Sequence, residues 1–360
     1  MPLNSLSIHH FRNLAPVTLR FSPQLNLFLG ANAAGKTSLL ESLYVLARAR
    51  SFRAGSLEKV LQIGATDFQL VATVATEHSG DIPVGLKWDQ KKLIARVNGQ
   101  PVKRLSELAA LFPVQWLGGN LHRLIEDGPG YRRQYLDWGL FHVKPAYAAV
   151  WKRFQKLLKQ RNAALRSGVS VKEVHAWDFD LAKSAEDLHR LRESYILKLT
   201  EMIIDTSREL LESPHDLQIS YRKGWASELS YLKALETGLD SDREQRYTRS
   251  GPQRAELLFH YQNRPVQECL SRGQQKLFVL ALQVAQASLL RQQTLKTSLF
   301  LMDDLGSELD AGNQMRVMRL LQSIDAQAFV TAIEDPGGSG WNRATVNRFH
   351  VKHGLVSEVL

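Results

Sequence analysis

The amino-acid sequence predicts an α/β fold: a core of buried strands and helices, an attached antiparallel sheet, and a mainly helical second domain inserted between two halves of the core. Three observations predict it. Leu25-Asn26-Leu27-Phe28-Leu29 is a short apolar run that reads as a buried strand, and a glycine-bearing turn carries it into an amphipathic helix beginning Thr37-Ser38-Leu39-Leu40-Glu41-Ser42-Leu43. From about Trp116 to Ser250 the apolar spacing becomes helical. After Gly251 the core pattern returns, with an apolar-rich helix over 277–290 and buried-strand runs at 298–302 and 328–333. The expected domains are therefore 1–115 with 251–360, and 116–250.

The elements follow in order. Residues 5–11 read as a strand, and 68–74 alternates in part before 82–88. Residues 93–97 run into Asn98-Gly99, a strong two-residue hairpin signal. These strands make the attached antiparallel sheet. Residues 147–165 combine helical apolar spacing with many Lys and Arg. Across 178–211, Leu188, Leu191, Tyr195, Leu199 and Met202 fall on one seam of a packing helix, which Pro214 ends. Residues 241–251 are polar and charged, an exposed connection. Residues 349–356 read as a closing hairpin around His353-Gly354.

Composition narrows the class. The chain has 360 residues, 44% of them hydrophobic, enough to bury a substantial core. Its single cysteine, Cys269, excludes an internal disulfide and suits a reducing cytoplasm. The start, Met1-Pro2-Leu3-Asn4-Ser5, lacks the pattern of a signal peptide, and no apolar run approaches membrane-spanning length. Lys and Arg exceed Asp and Glu, 46 to 36, and the net charge of +10 fits an acidic partner such as nucleic acid without requiring one.

The turn after the first buried strand is Gly30-Ala31-Asn32-Ala33-Ala34-Gly35-Lys36-Thr37, the Gly-x-x-x-x-Gly-Lys-Thr of a phosphate-binding loop in its required strand–loop–helix context. Glycines let backbone N–H groups turn inward, and the helix N-terminus adds partial positive charge where phosphates sit. Lys36 is expected to reach the β- and γ-phosphates of ATP, and Thr37 to ligate Mg²⁺. Phe300-Leu301-Met302-Asp303-Asp304 is an apolar strand ending in acid far downstream of that loop. Asp303 is the expected Mg²⁺ ligand and Asp304 the group that orients or deprotonates the attacking water.

Leu270-Ser271-Arg272-Gly273-Gln274-Gln275-Lys276 resembles the signature motif of ABC-type ATPases, with Arg272 where many have Gly. The resemblance implies an ABC-type P-loop ATPase head in which Ser271, Arg272, Gly273 and Gln274 complete the nucleotide site of an opposite protomer. It also implies a D-loop at Ser307 and Asp310, and in Gln115 a Q-loop glutamine that senses Mg²⁺ and γ-phosphate. Most relatives carry Glu where this chain has Asp304, and the shorter side chain implies slow hydrolysis. The histidine expected after the next strand is absent, and Thr331 is the residue nearest its place.

Phe11-Arg12-Asn13, Arg50-Ser51-Phe52-Arg53, Gly128-Pro129-Gly130-Tyr131-Arg132-Arg133, Leu136-Asp137-Trp138-Gly139 and Gly251-Pro252-Gln253-Arg254-Ala255-Glu256-Leu257 narrow the match. In the right order from Phe11 to about Asp310, they resemble RecF, the bacterial recombination-mediator ATPases related to SMC heads. The resemblance adds Arg12, Asn13 and Ser38 to the ATP-binding residues of the loop. It implies an ATP-dependent homodimer that binds DNA at single-stranded gaps and double-stranded junctions. It further implies action with RecR and RecO, RecA loading, slow ATP hydrolysis, a part in the SOS response, no membrane and a cytoplasmic, nucleoid-associated location. Candidate DNA contacts are Arg50, Arg53, Arg132, Arg133, Lys152, Arg153 and Lys156, with Lys159 and Arg161 on the same predicted helix. A transporter nucleotide-binding subunit would need a surface for membrane helices, and an SMC-like head would need hundreds of heptad residues in place of the insertion.

Overall fold

The computed structural model describes residues 2–76, 80–89, 91–119, 122–211, 216–304, 306, 309–335 and 345–359. The chain forms two compact units, Met1–Leu121 with Lys276–Leu360, and His122–Gln275.

The first unit is built on two six-stranded sheets. One has the strand order Leu355–Val359, Val346–Lys352, Leu25–Leu29, Gln327–Ala332, Leu299–Met302, Val114–Leu117. Its neighbours are parallel except for the antiparallel edge pair Val346–Lys352 and Leu355–Val359. Leu299–Met302 and Gln327–Ala332 are buried at every position, which is why they read as continuous apolar runs rather than alternating ones. The helix Lys36–Arg48 packs Leu39, Leu40, Leu43 and Leu46 into this core. Phe21, Phe28, Phe329 and Phe349 cluster there, with centroids 5.0–6.4 Å apart.

The other sheet is antiparallel, in the order Val17–Arg20, Leu3–His9, Asp67–Thr76, Gly80–Asp89, Lys92–Val97, Gln100–Pro101. Asn98 and Gly99 both have left-handed backbones, φ 49° and 75°, as the expected tight hairpin requires. Buried Gln327 ties the two sheets together. Its Oε1 accepts from the Leu3 N–H at 2.8 Å, and its Nε2 donates to the carbonyls of Leu3 and Ser22 at 2.9 and 2.7 Å.

The second unit holds the helices Pro129–Val143, Tyr147–Ser167 and Asp178–Leu210. Leu188, Tyr195 and Leu199 of the expected seam are buried, and Pro214 lies outside the described residues. The unit also holds a three-stranded sheet, Arg264–Pro265, Glu256–Tyr261, Leu217–Arg222. That sheet moves the second boundary from the expected 250/251 to 275/276, because Glu256–Tyr261 pairs with Leu217–Arg222 rather than with the core. Among the described residues, no helix is long and apolar enough to cross a membrane.

Arg161 is fully buried, which removes it from the candidate DNA contacts. Its Nε donates to Asp178 at 2.7 Å, and its Nη1 donates to Asp242 and Thr248 at 2.7 and 2.8 Å. Replacing it strands two buried carboxylates. Arg161→Met is expected to cost about 3–5 kcal/mol, whereas Lys159→Met on the exposed face should stay within about 0.5 kcal/mol. Thermal melting of the two variants beside the parent checks both values.

Candidate functional site

Parallel strands deliver the site from one edge of their sheet. Leu29 lies beside Ala332, and Met302 beside Val330, so Asp303 emerges beside Thr331, and Gly30 leaves its strand two residues further on at the same end of the sheet. The chain leaves Leu25–Leu29 through Gly30 and enters the helix Lys36–Arg48, whose N-cap is Gly35. No side chain caps this helix, so its first-turn N–H groups have no side-chain acceptor. Such a terminus is suited to an anion.

The closing hairpin supports this loop. Gly30 has φ 155°, and a Cβ there would stand 2.2 Å from the Val351 carbonyl oxygen. At the hairpin tip, Gly354 has φ 79°, and its Cβ would meet the Asn13 carbonyl oxygen at 1.9 Å. The Gly354 N–H donates to the Ala34 carbonyl at 2.8 Å, and the Gly354 carbonyl accepts from Ala15 at 3.0 Å.

The polar groups of the two motifs lie close together. The Lys36 ammonium donates to the carbonyls of Gly30 and Ala31 at 2.6 and 2.9 Å. The Thr37 hydroxyl stands 3.1 Å from each carboxylate oxygen of Asp303. Thr331 donates to Asp303 Oδ1 at 2.8 Å and accepts from the Asp304 N–H at 2.7 Å. Asp304 has a left-handed backbone, φ 51°. The Thr331 hydroxyl thus holds the acid pair at the wall of the cleft.

Around them opens a cleft of about 880 Å³, lined by residues 32–38 of the loop and helix, by Arg12 and Asn13, and by Asp303, Asp304 and Thr331. Arg12 grips the fully buried Glu41 with two hydrogen bonds, 2.9 and 2.8 Å, and donates to the Lys59 carbonyl at 2.7 Å. Asn13 accepts from the Ser38 hydroxyl at 3.0 Å. Arg53, expected at DNA, lines this cleft with its guanidinium 3.7 Å from Glu41. Lys59, Gln62 and the fully exposed Ile63 also line it. Sequence reasoning missed them because the segment has a single 3₁₀ turn, Leu57–Val60, too short to show a period.

Other expected site residues lie elsewhere. Gln115 is buried and is not part of the cleft wall. It pairs in register with Phe300, three residues or roughly 10 Å of strand short of Asp303. Ser307 lies outside the described residues. Asp310 caps the helix Ala311–Ser323, and the Asn313 N–H holds its carboxyl below the usual range. In the second unit, Ser271 and Gln274 form a capping box: Gln274 Oε1 accepts from the Ser271 N–H at 2.9 Å, and Ser271 Oγ accepts from the Gln274 N–H at 3.3 Å. Arg272 and Gly273 follow as the exposed first turn of the helix Arg272–Thr294.

The expected DNA contacts divide. Arg132 is bound to Glu256 at 2.7 Å and to the carbonyls of Leu124, Ile125 and Asp127. Arg133 donates to the Ala255 carbonyl at 3.0 Å, and burial lowers its pKa. Both are therefore structural, a correction to the sequence reading. Arg50, Lys152, Arg153 and Lys156 are exposed, and Arg153 pairs with Asp180.

Two variants, each with a control, test the site. Gly354→Ala is expected to lower both the melting midpoint and the affinity for a nucleoside triphosphate, although residue 354 is far from the loop in sequence. Gly99→Ala, with open space around it, should show only the backbone penalty of about 1–2 kcal/mol. Thr331→Val leaves the Asp304 N–H without its hydroxyl acceptor, an expected loss of about 1–3 kcal/mol, and Thr331→Ser restores it. Melting curves and nucleotide titration of the four proteins decide these outcomes.

Known proteins resemble the chain over its whole length. The family model described as RecF/RecN/SMC N terminal domain matches residues 2–353. A DNA replication and repair protein RecF from Pseudomonas aeruginosa (strain LESB58) is 39% identical, over 99% of this chain and 98% of its own. One from Nitrosococcus oceani is 37% identical over 100% of both. The solved structure of the recombination mediator protein RecF-ATP in the RecFOR pathway superposes with a TM-score of 0.88 at 22% identity, covering 100% of this chain and 98% of that one. That likeness bears out the ABC-type ATPase-head fold. With the family model over residues 2–353 and end-to-end relatives at 37–39% identity, the chain belongs to the RecF family.

Proposed function

We propose that this chain is an ATP-dependent DNA-binding protein of recombinational repair and replication-gap processing. ATP closes two copies on gapped DNA, and slow hydrolysis releases them. The observation that carries this reading is the meeting of Lys36, Thr37 and Asp303 in one cleft of a chain matched end to end by DNA replication and repair proteins.

The residues present fit ATP and Mg²⁺. Lys36 can exchange its two carbonyl acceptors for phosphate oxygens while staying within the loop. Thr37 and Asp303 supply a hydroxyl and a carboxylate, hard oxygen donors of the kind Mg²⁺ prefers. Among the described residues, no group of three or more His, Cys, Asp or Glu could hold a metal. Thr37 and Asp303 would hold an Mg²⁺ that comes with the nucleotide. Once bound, Mg²⁺ neutralises charge on the phosphates. Asp304 is the proposed group that orients the attacking water, and Thr331 fixes its backbone.

The capped, exposed helix start at Ser271–Gln274 supports the dimer reading, since it offers a hydroxyl and first-turn N–H groups to a nucleotide held by a second copy. Action with RecR and RecO, and RecA loading in the cytoplasm, complete the proposal and rest on family membership.

Lys36→Arg should keep the fold and lose productive nucleotide binding. Ser271→Arg should cost about 1 kcal/mol through the lost cap, keep ATP binding in the monomer and abolish ATP-dependent dimerisation. Sedimentation with ATP, ADP and no nucleotide, each with and without gapped DNA, reads these outcomes. A Ser271→Arg chain that still dimerises with ATP overturns the trans role of the signature segment.

A further inference from the structure

The helix Tyr147–Ser167 carries its cations in two different ways. Arg161 is buried between two aspartates, and Arg153 is paired with Asp180. Lys152, Lys156, Lys159 and Arg166 are exposed, and among the described residues no carboxylate lies within ion-pair distance of them. Their spacings of 4, 3 and 7 residues put them on one face. The opposite face is buried through Phe154, Leu157, Arg161 and Leu165.

From Lys152 to Arg166 the helix rises about 21 Å at 1.5 Å per residue. A shallow groove runs along the stripe, with the neutral amides Gln155 and Asn162 between the cations. Arg166 also borders a second depression, into which Arg243 and Arg246 bring further charge against the single carboxylate of Glu244. The exposed Trp151 of this helix lies about 100° round from Lys152, so the cationic face itself lacks the apolar centre that a protein interface needs. It suits a linear polyanion. Each DNA strand carries one phosphate per 3.4 Å of axis, so 21 Å spans about six of them.

We propose that Lys152, Lys156, Lys159 and Arg166 form a track for the phosphate backbone of DNA. The track rests on the DNA-binding reading above and adds its location. It contacts phosphate and reads no base sequence. Arg153, adjacent in sequence but paired with Asp180, takes no part.

The test uses the full chain with ATP and a fluorescent 40-base-pair duplex carrying a central gap, with a 40-nucleotide single strand as a second probe. Affinity is measured between 50 and 200 mM salt. If all four cations contact duplex phosphates, replacing them with Gln should lower the slope of log affinity against log salt by about 3.6. The fall in affinity over that range then becomes about 10²-fold smaller. Lys156→Glu alone should weaken binding in the same direction, and Arg153→Gln should leave the slope unchanged. All four positions are exposed, and ATP affinity and melting midpoint serve as folding controls. Loss on either probe supports the track and identifies the strand it holds. A parent that binds DNA beside a quadruple variant with the same slope overturns the track alone. If that variant instead loses only an acidic protein partner, the face belongs to that partner and the track is likewise overturned. A parent that binds neither probe overturns the DNA-binding reading and the track with it.

Discussion

Leu29 faces Ala332 and Met302 faces Val330 in adjoining parallel strands, and this register decides what the cleft can contain. It places Thr331 one residue past the Met302–Val330 pair and beside Asp303. A slip of one residue would turn Thr331 to the other face of the sheet and remove the hydroxyl that holds both acids. Asp303 ends its strand level with Thr331 and Phe28, and the loop that starts at Gly30, two residues further on, brings Thr37 back to it. Burial on both faces enforces the register, since every position of Leu299–Met302 and Gln327–Ala332 is packed. The chemistry therefore depends on a core that is apolar apart from Gln327 and Thr331 along that strand.

The second unit obeys a different constraint. Arg132 joins Glu256, Arg133 joins the Ala255 carbonyl, and Arg192 joins Asp137 at 2.9 Å and the Pro252 carbonyl at 2.8 Å. Segments far apart in sequence thus converge through buried or half-buried guanidiniums that answer carbonyls and carboxylates. The residue runs that mark the family in this unit are therefore largely scaffold. Of the cations of this unit that the sequence marked for DNA, Lys152, Lys156 and Lys159 stay exposed without an ion pair among the described residues.

Much of this was legible in the sequence, for stateable reasons. Leu25–Leu29 and the loop after it are local features: an apolar run, two glycines and a lysine. Asp303 followed from an apolar strand ending in acid. Gln115 did not reach the cleft because strand register, set by partners elsewhere, stops it three residues short. Arg132 and Arg133 read as surface cations, since a sequence does not reveal which arginine will find carbonyls. The boundary after Gln275 was hidden because Glu256–Tyr261 finds its partner across the insertion rather than in the core. Glu41 looked like a polar position on a helix, and only the approach of Arg12 explains its complete burial.

The central strand Leu25–Leu29 is synthesised before both its neighbours, Gln327–Ala332 and Val346–Lys352, which come some three hundred residues later. The phosphate loop has no edge to lean on until Gly354 has been made. A ribosome-bound fragment that already contains every loop residue therefore lacks a nucleotide pocket. Translation order thus leaves the loop of an unfinished chain without the strands and the hairpin that support it.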